Sequence, residues 1–126
     1  MAAEPASILL IDDEDFVRDL GARILRREGY TVMTAGNGRE GLEIYEKSRD
    51  KIELVILDLI MPEMGGKQCL EKILETNSQE KVLIASGAGG LETTEEVIDG
   101  RARGFIRKPF GMDELLNAVR RVLDSD

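Results

Sequence analysis

A doubly wound α/β fold with five parallel strands is predicted by three features of this chain. Short apolar runs alternate with longer amphipathic stretches from end to end, as strands joined by crossover helices do. Three of those runs are almost wholly aliphatic, the pattern of strands covered on both faces of a parallel sheet. Charged residues stand directly behind the runs: Asp12 and Asp13 after the first, Asp58 after the third, Lys108 after the fifth. Parallel strands share one C-terminal edge, so three carboxylates and an ammonium are predicted to meet there.

Taken in order, residues 1–6 are a lead-in and 7–125 a single domain. The first strand is Ile8-Leu9-Leu10-Ile11. Phe16, Val17, Leu20, Ile24 and Leu25 then recur at helical spacing and predict the core face of the first helix, which Gly29 ends in a left-handed conformation. Thr31-Val32-Met33-Thr34 reads as an edge strand. Asn37, three residues before Glu40, opens a second helix carrying Leu42 and Tyr45. The third strand is Leu54-Val55-Ile56-Leu57, followed by a helix with Leu70, Ile73 and Leu74 inward and Cys69 half-buried on its edge. Val82-Leu83-Ile84-Ala85 is the fourth strand, ending at the Ser86 hydroxyl. Thr93 and Glu96 mark the start of a short fourth helix over 94–99, whose few apolar residues predict a weakly held element. Gly104-Phe105-Ile106 is the second edge strand, and Leu115, Leu116, Val119, Val122 and Leu123 face the fifth helix inward. The spatial order that follows is 2-1-3-4-5. Its switch point lies between strands one and three, beside Asp12, Asp13 and Asp58.

Composition narrows the function. With 126 residues, 42% hydrophobic and 33% charged, one folded domain is expected. Twenty-five acidic against 17 basic residues give a net charge of −8, which argues against contact with nucleic acid or an anionic membrane. The absence of histidine removes histidine-based acid–base chemistry. A single cysteine, no apolar stretch of bilayer length and no basic-then-apolar leader point to the cytoplasm.

Alone, an Asp-Asp pair behind a strand is most often a helix cap. Glu14 and Glu63 read as solvated acids, Met61 and Met64 as gap fillers, and Gly87, Gly89 and Gly90 lack nucleotide-loop spacing. Asp58, behind four buried aliphatics, is harder to assign to a solvated face. Like charges about 4 Å apart repel by roughly 4 kcal/mol at an effective dielectric of 20, so the three acids make sense chiefly around a cation. Oxygen ligands favour Mg²⁺ or Mn²⁺.

Four motifs in order, Asp12-Asp13, Leu57-Asp58 with Met61-Pro62-Glu63-Met64-Gly65-Gly66, Ser86-Gly87 and Lys108-Pro109-Phe110, resemble the receiver domain of two-component response regulators over nearly the whole chain. The resemblance implies a flavodoxin-like (βα)5 fold. It implies Asp58 as phosphoacceptor, Asp12, Asp13, Asp58 itself and the Ile60 backbone carbonyl around Mg²⁺, and Ser86 and Lys108 on the phosphoryl oxygens. Ser86 and Phe105 would be the switch pair, and Lys108-Pro109 a candidate cis peptide. Here Ser86 replaces the more frequent threonine and Phe105 the more frequent tyrosine, while Ile60 and Ala88 occupy positions that tune phosphoryl lifetime in the family. The implied partners are a histidine kinase or phosphotransfer protein and a downstream protein reading the surface of the fourth helix, fifth strand and fifth helix, with dimerisation on phosphorylation left open. The context is either the receiver of a hybrid histidine kinase or a single-domain regulator. Slow autodephosphorylation would reset it. The competing readings are a Mg²⁺-dependent phosphohydrolase with Asp58 as nucleophile, for which Ile60 stands where a second acid is wanted, and a phosphorylation-independent docking module.

Overall fold

The computed structural model describes residues 6–58, 65–87 and 102–125. The predicted helix over 94–99 and Ile60 fall outside them. Strands β1 (Ser7–Ile11), β2 (Thr31–Ala35), β3 (Ile52–Asp58), β4 (Val82–Ser86) and β5 (Gly104–Arg107) form one parallel sheet in the order β2-β1-β3-β4-β5, as predicted. The described helices are α1 (Asp15–Arg27), α2 (Gly38–Ser48), α3 (Gly66–Thr76) and α4 (Met112–Asp124), the last being the fifth helix of the sequence reading.

Strand alternation sends successive side chains to opposite faces and builds two cores. On one face Ile8 and Leu10 of β1, Leu54 and Ile56 of β3 and Ile106 of β5 pack with Ala22 and Leu25 of α1 and Leu115, Val119 and Val122 of α4. On the other, Leu9, Ile11, Val55 and Leu57 pack with Tyr45 of α2 and Leu70 and Ile73 of α3. The buried Tyr45 hydroxyl donates to Glu80 Oε1 at 2.7 Å, which satisfies a carboxylate at the end of the sheet opposite the acidic edge.

Two helix boundaries follow their local sequence signals. Asn37 Oδ1 accepts from the Glu40 amide at 2.8 Å, while Glu40 reaches back to the Gly36 amide, one residue beyond the usual partner. Gly29 has φ +104, the left-handed conformation that closes α1. Three expectations are corrected. Every strand is longer than its apolar run, β4 by Ser86, because ladder hydrogen bonds extend past the hydrophobic residues; Asp58 is itself the last residue of β3. Phe16 and Leu20 do not face the core: they are 78% and 41% exposed, and α1 packs through Gly21, Ala22 and Leu25. The small residues let the helix axis approach the sheet, which rotates the large side chains outward. Cys69 is fully buried instead of half-buried, and burial pushes its thiol up to about 12, leaving it without thiolate reactivity at neutral pH.

The closest approach lies under α2, where a Cβ added to Gly41 would come 2.8 Å from Ile11 Cγ1 and collide with its Cδ1. Ile11 is fully buried and β-branched, so it has no room to turn away. Gly41→Ala is therefore expected to destabilise by about 1–3 kcal/mol despite alanine's better helix propensity. Pairing it with Ile11→Val, which removes Cδ1, should recover part of the loss in thermal melts. An unchanged melting temperature for the single variant would refute the close packing.

Candidate functional site

The register of the sheet assembles the site. Ile11 lies beside Leu57, so Asp12 emerges next to Asp58; Asp58 pairs with Ala85 and Ser86 with Arg107, so Lys108 emerges on the same edge. Parity then sets the direction. Leu10, Ile56 and Ile106 all belong to the core under α1 and α4, and Asp12, Asp58 and Lys108 each lie two residues further on, towards that same face.

The side chains meet as this predicts. Lys108 Nζ lies 2.9 Å from Asp12 Oδ2, 2.9 Å from Glu14 Oε1 and 3.2 Å from Asp58 Oδ2. Asp12 and Asp58 are buried, at 2% and 4% exposure. The Asp12, Glu14 and Asp58 carboxylates have oxygens all within 4.8 Å of one another, close enough to share one cation. Asp13 is half-buried and close enough to Asp58 to disfavour its ionisation. Phe105, on the edge strand β5, is 39% exposed, and the Lys108-Pro109 bond is cis. Ser86 is the final residue of β4, and Ile60 lies outside the described residues.

Sequence reasoning missed two residues. Glu14, read as a solvated acid, is a direct partner of Lys108; only its position one past the Asp pair could have signalled it. Arg18 ties down the acidic loop, donating from Nη1 to the Asp12 carbonyl at 2.9 Å and pairing through Nη2 with Asp15 at 2.6 Å. The capping reading of the Asp pair also holds in part, since Asp12 Oδ1 accepts from the Glu14 amide at 2.9 Å. Asp12 thus serves the turn with one oxygen and Lys108 with the other.

Burial pushes the Asp58 carboxyl up to about 7; the Lys108 charge pulls it back, while the Asp12 charge and the nearby Asp13 add to the rise. Burial works against the Lys108 ammonium, but hydrogen bonds to Asp12 and Glu14 and the charge of Asp58 outweigh it and hold the group above the usual lysine range. One ammonium serving several carboxylates leaves an excess of negative charge in a poorly hydrated spot. Such a site suits a divalent cation and an oxyanion nucleophile.

A family model for the response regulator receiver domain matches residues 8–120. The chain belongs to that family. Its relatives include the chemotaxis protein CheY of Treponema pallidum, 37% identical over 120 residues that span 94% of this chain and 83% of CheY. They also include the sensor kinase CckA of Brucella abortus, 35% identical over 94% of this chain but only 13% of CckA. Among solved structures, a receiver domain protein from Clostridium thermocellum superposes with a TM-score of 0.90 at 30% identity, covering 94% of both chains. The NtrX receiver domain of Brucella abortus gives 0.88 at 33% identity, covering 94% of this chain and 99% of its own. Receiver domains accept phosphoryl groups in two-component signalling, interact with histidine kinases or phosphotransfer proteins, and generally bind Mg²⁺ at an acidic pocket. The donor set here fits such an ion: hard oxygens, two of them on buried carboxylates. Among the described residues, no helix of this receiver is long and apolar enough to cross a membrane.

A raised Asp58 has a defined signature in stability. Its folded value of about 7 exceeds the ordinary 3.8, so between these limits the folded protein holds a proton that the unfolded chain has lost. Stability is then eroded as pH climbs from about 4 to 7 and levels off above. In chelator, Asp58→Asn should stabilise the protein at pH 7.5 by on the order of 2 kcal/mol, several degrees in melting temperature, with the gain shrinking towards pH 4.5. A variant no more stable than wild type at pH 7.5 would contradict the assignment.

Proposed function

We propose that this receiver takes a phosphoryl group onto Asp58 from a phosphohistidine on a histidine kinase or phosphotransfer protein, with Mg²⁺ or Mn²⁺ as cofactor. The observation that carries this reading is the meeting of Asp12, Asp58 and Lys108, from three strand ends distant in sequence, within 2.9–3.2 Å of one ammonium. A structural salt bridge would require one carboxylate, whereas phosphoryl transfer requires a nucleophilic oxyanion beside fixed positive charge.

In the transfer, an ionised Asp58 oxygen attacks phosphorus in line with the donor imidazole. The P–O bond forms as the P–N bond breaks, and its electron pair returns to the imidazole ring. Charge spreads over the equatorial phosphoryl oxygens, where the Lys108 ammonium and the Ser86 hydroxyl supply hydrogen bonds. Asp12, Asp13, Asp58 and the Ile60 carbonyl would hold the divalent ion, which supplies the remaining positive charge. Attack of water on phosphorus later releases phosphate and restores the carboxylate, so the domain resets itself slowly.

The readout assigned to Ser86 and Phe105 runs through packing. Phe105 lies beside Ile84, two residues before the level of Ser86 in the paired strands, and without a phenol it has no hydroxyl to bond when exposed. A downstream protein would read this altered edge, and a second copy of the receiver could use the same surface. The donor's approach is supported by a pocket of about 300 Å³ bordered by Glu14, Phe16, Leu20, Lys108, Pro109 and Phe110. The outward-facing Phe16 and Leu20 offer apolar contact next to the acceptor. A sensor kinase of which the match spans 13% and a chemotaxis protein of which it spans 83% both stand among the relatives, which supports either context. The cytoplasm is the compartment in which either would act.

Incubation with acetyl phosphate and Mg²⁺, followed by intact mass measurement, should add one alkali-labile phosphate to wild type and none to Asp58→Asn or to protein in excess chelator. Lys108→Ala should slow the reaction by about 10²-fold, the usual consequence of removing one charge-stabilising donor. Phosphate appearing on Asp58→Asn at the wild-type rate would end this reading.

A further inference from the structure

Lys108 offers three N–H donors, and each faces a carboxylate: Asp12 and Glu14 at 2.9 Å and Asp58 at 3.2 Å. An oxyanion that is to bind this ammonium must displace one of them. The three are not equally tied. The Asp12 and Asp58 side chains are 3% and 5% exposed, and Asp12 also accepts the Glu14 amide. The Glu14 side chain is 59% exposed, reaching across from the residue that precedes α1. Water can solvate a released Glu14 carboxylate at once, whereas the other two would be left buried without their counter-charge. Glu14 and Lys108 also border the same pocket, so their contact lies on the side from which a ligand enters.

We propose that Glu14 is a positioning residue that holds the third donor of Lys108 at rest and yields it to the phosphoryl group, so that its carboxylate sets a threshold against phosphoryl binding. This rests on the reading of Asp58 as phosphoacceptor and adds to it a residue for which sequence spacing gave no role. The effect belongs to the bond itself and not to long-range charge. Shortening the side chain by one methylene therefore releases Lys108 as neutralisation does.

The test is a titration of wild type, Glu14→Gln and Glu14→Asp with beryllofluoride at saturating Mg²⁺, followed by ¹⁹F NMR, with thermal melts confirming that each variant is folded. Both variants are expected to half-saturate at about two- to fivefold lower concentration than wild type, the range of a partly exposed ion pair. Glu14→Gln binding as wild type does, or more weakly as the loss of an ion ligand would cause, overturns the proposal. Tightening in Glu14→Gln with Glu14→Asp unchanged overturns it too, because charge alone would then account for the effect. Wild type that binds no beryllofluoride removes the underlying Asp58 reading as well, so the two failures are distinct.

Discussion

The Lys108 ammonium is shared by three carboxylates, two of them buried, and the rest of this domain is arranged to make that contact. Buried like charges are costly, and the cost is tolerated only where opposite charge is fixed within hydrogen-bond reach. Here the counter-charge arrives from the far end of the sequence: Lys108 is 50 residues from Asp58 and 94 from Glu14. No local turn could hold such groups together. The contact depends on the whole sheet being in register.

The sheet meets that demand through alternation. A slip of one residue in β1, β3 or β5 would turn Asp12, Asp58 or Lys108 to the opposite face and expose the aliphatic side chains behind it. The same hydrophobic pattern that builds the two cores therefore aims the polar groups, and packing energy secures the geometry that electrostatics alone would oppose. Gly41 against Ile11 and the small residues of α1 belong to the same system, since both let helices lie close to the strands that carry the acids. Arg18 completes the support by clamping the Asp12 carbonyl, fixing the loop in which the acids stand.

Much of this was legible from the chain. The strand order, the covered central strands and the convergence of Asp12, Asp58 and Lys108 follow from the period of apolar residues and from what stands just behind each run. The rotation of α1 did not follow, because helical periodicity marks a stripe of large apolar residues but not which part of it is turned out when glycine and alanine allow closer packing. Phe16 and Leu20 were misread for that reason. Glu14 was missed because reach across space leaves no trace in spacing, and Cys69 because burial at a helix edge depends on the neighbouring helix. The part assigned to Ile60 comes from family resemblance, whereas the helix over 94–99 was read from Thr93, Glu96 and the sparse apolar residues behind them.

The most direct measurement is the pH titration of the Asp58 carboxyl carbon by ¹³C NMR in metal-free protein and again with Mg²⁺. Burial among other acids requires a midpoint near 7 without the ion, and a shift to lower pH when Mg²⁺ stabilises the carboxylate. An ordinary midpoint near 4 that Mg²⁺ leaves unmoved would mean that Asp58 is not part of a shared charge site.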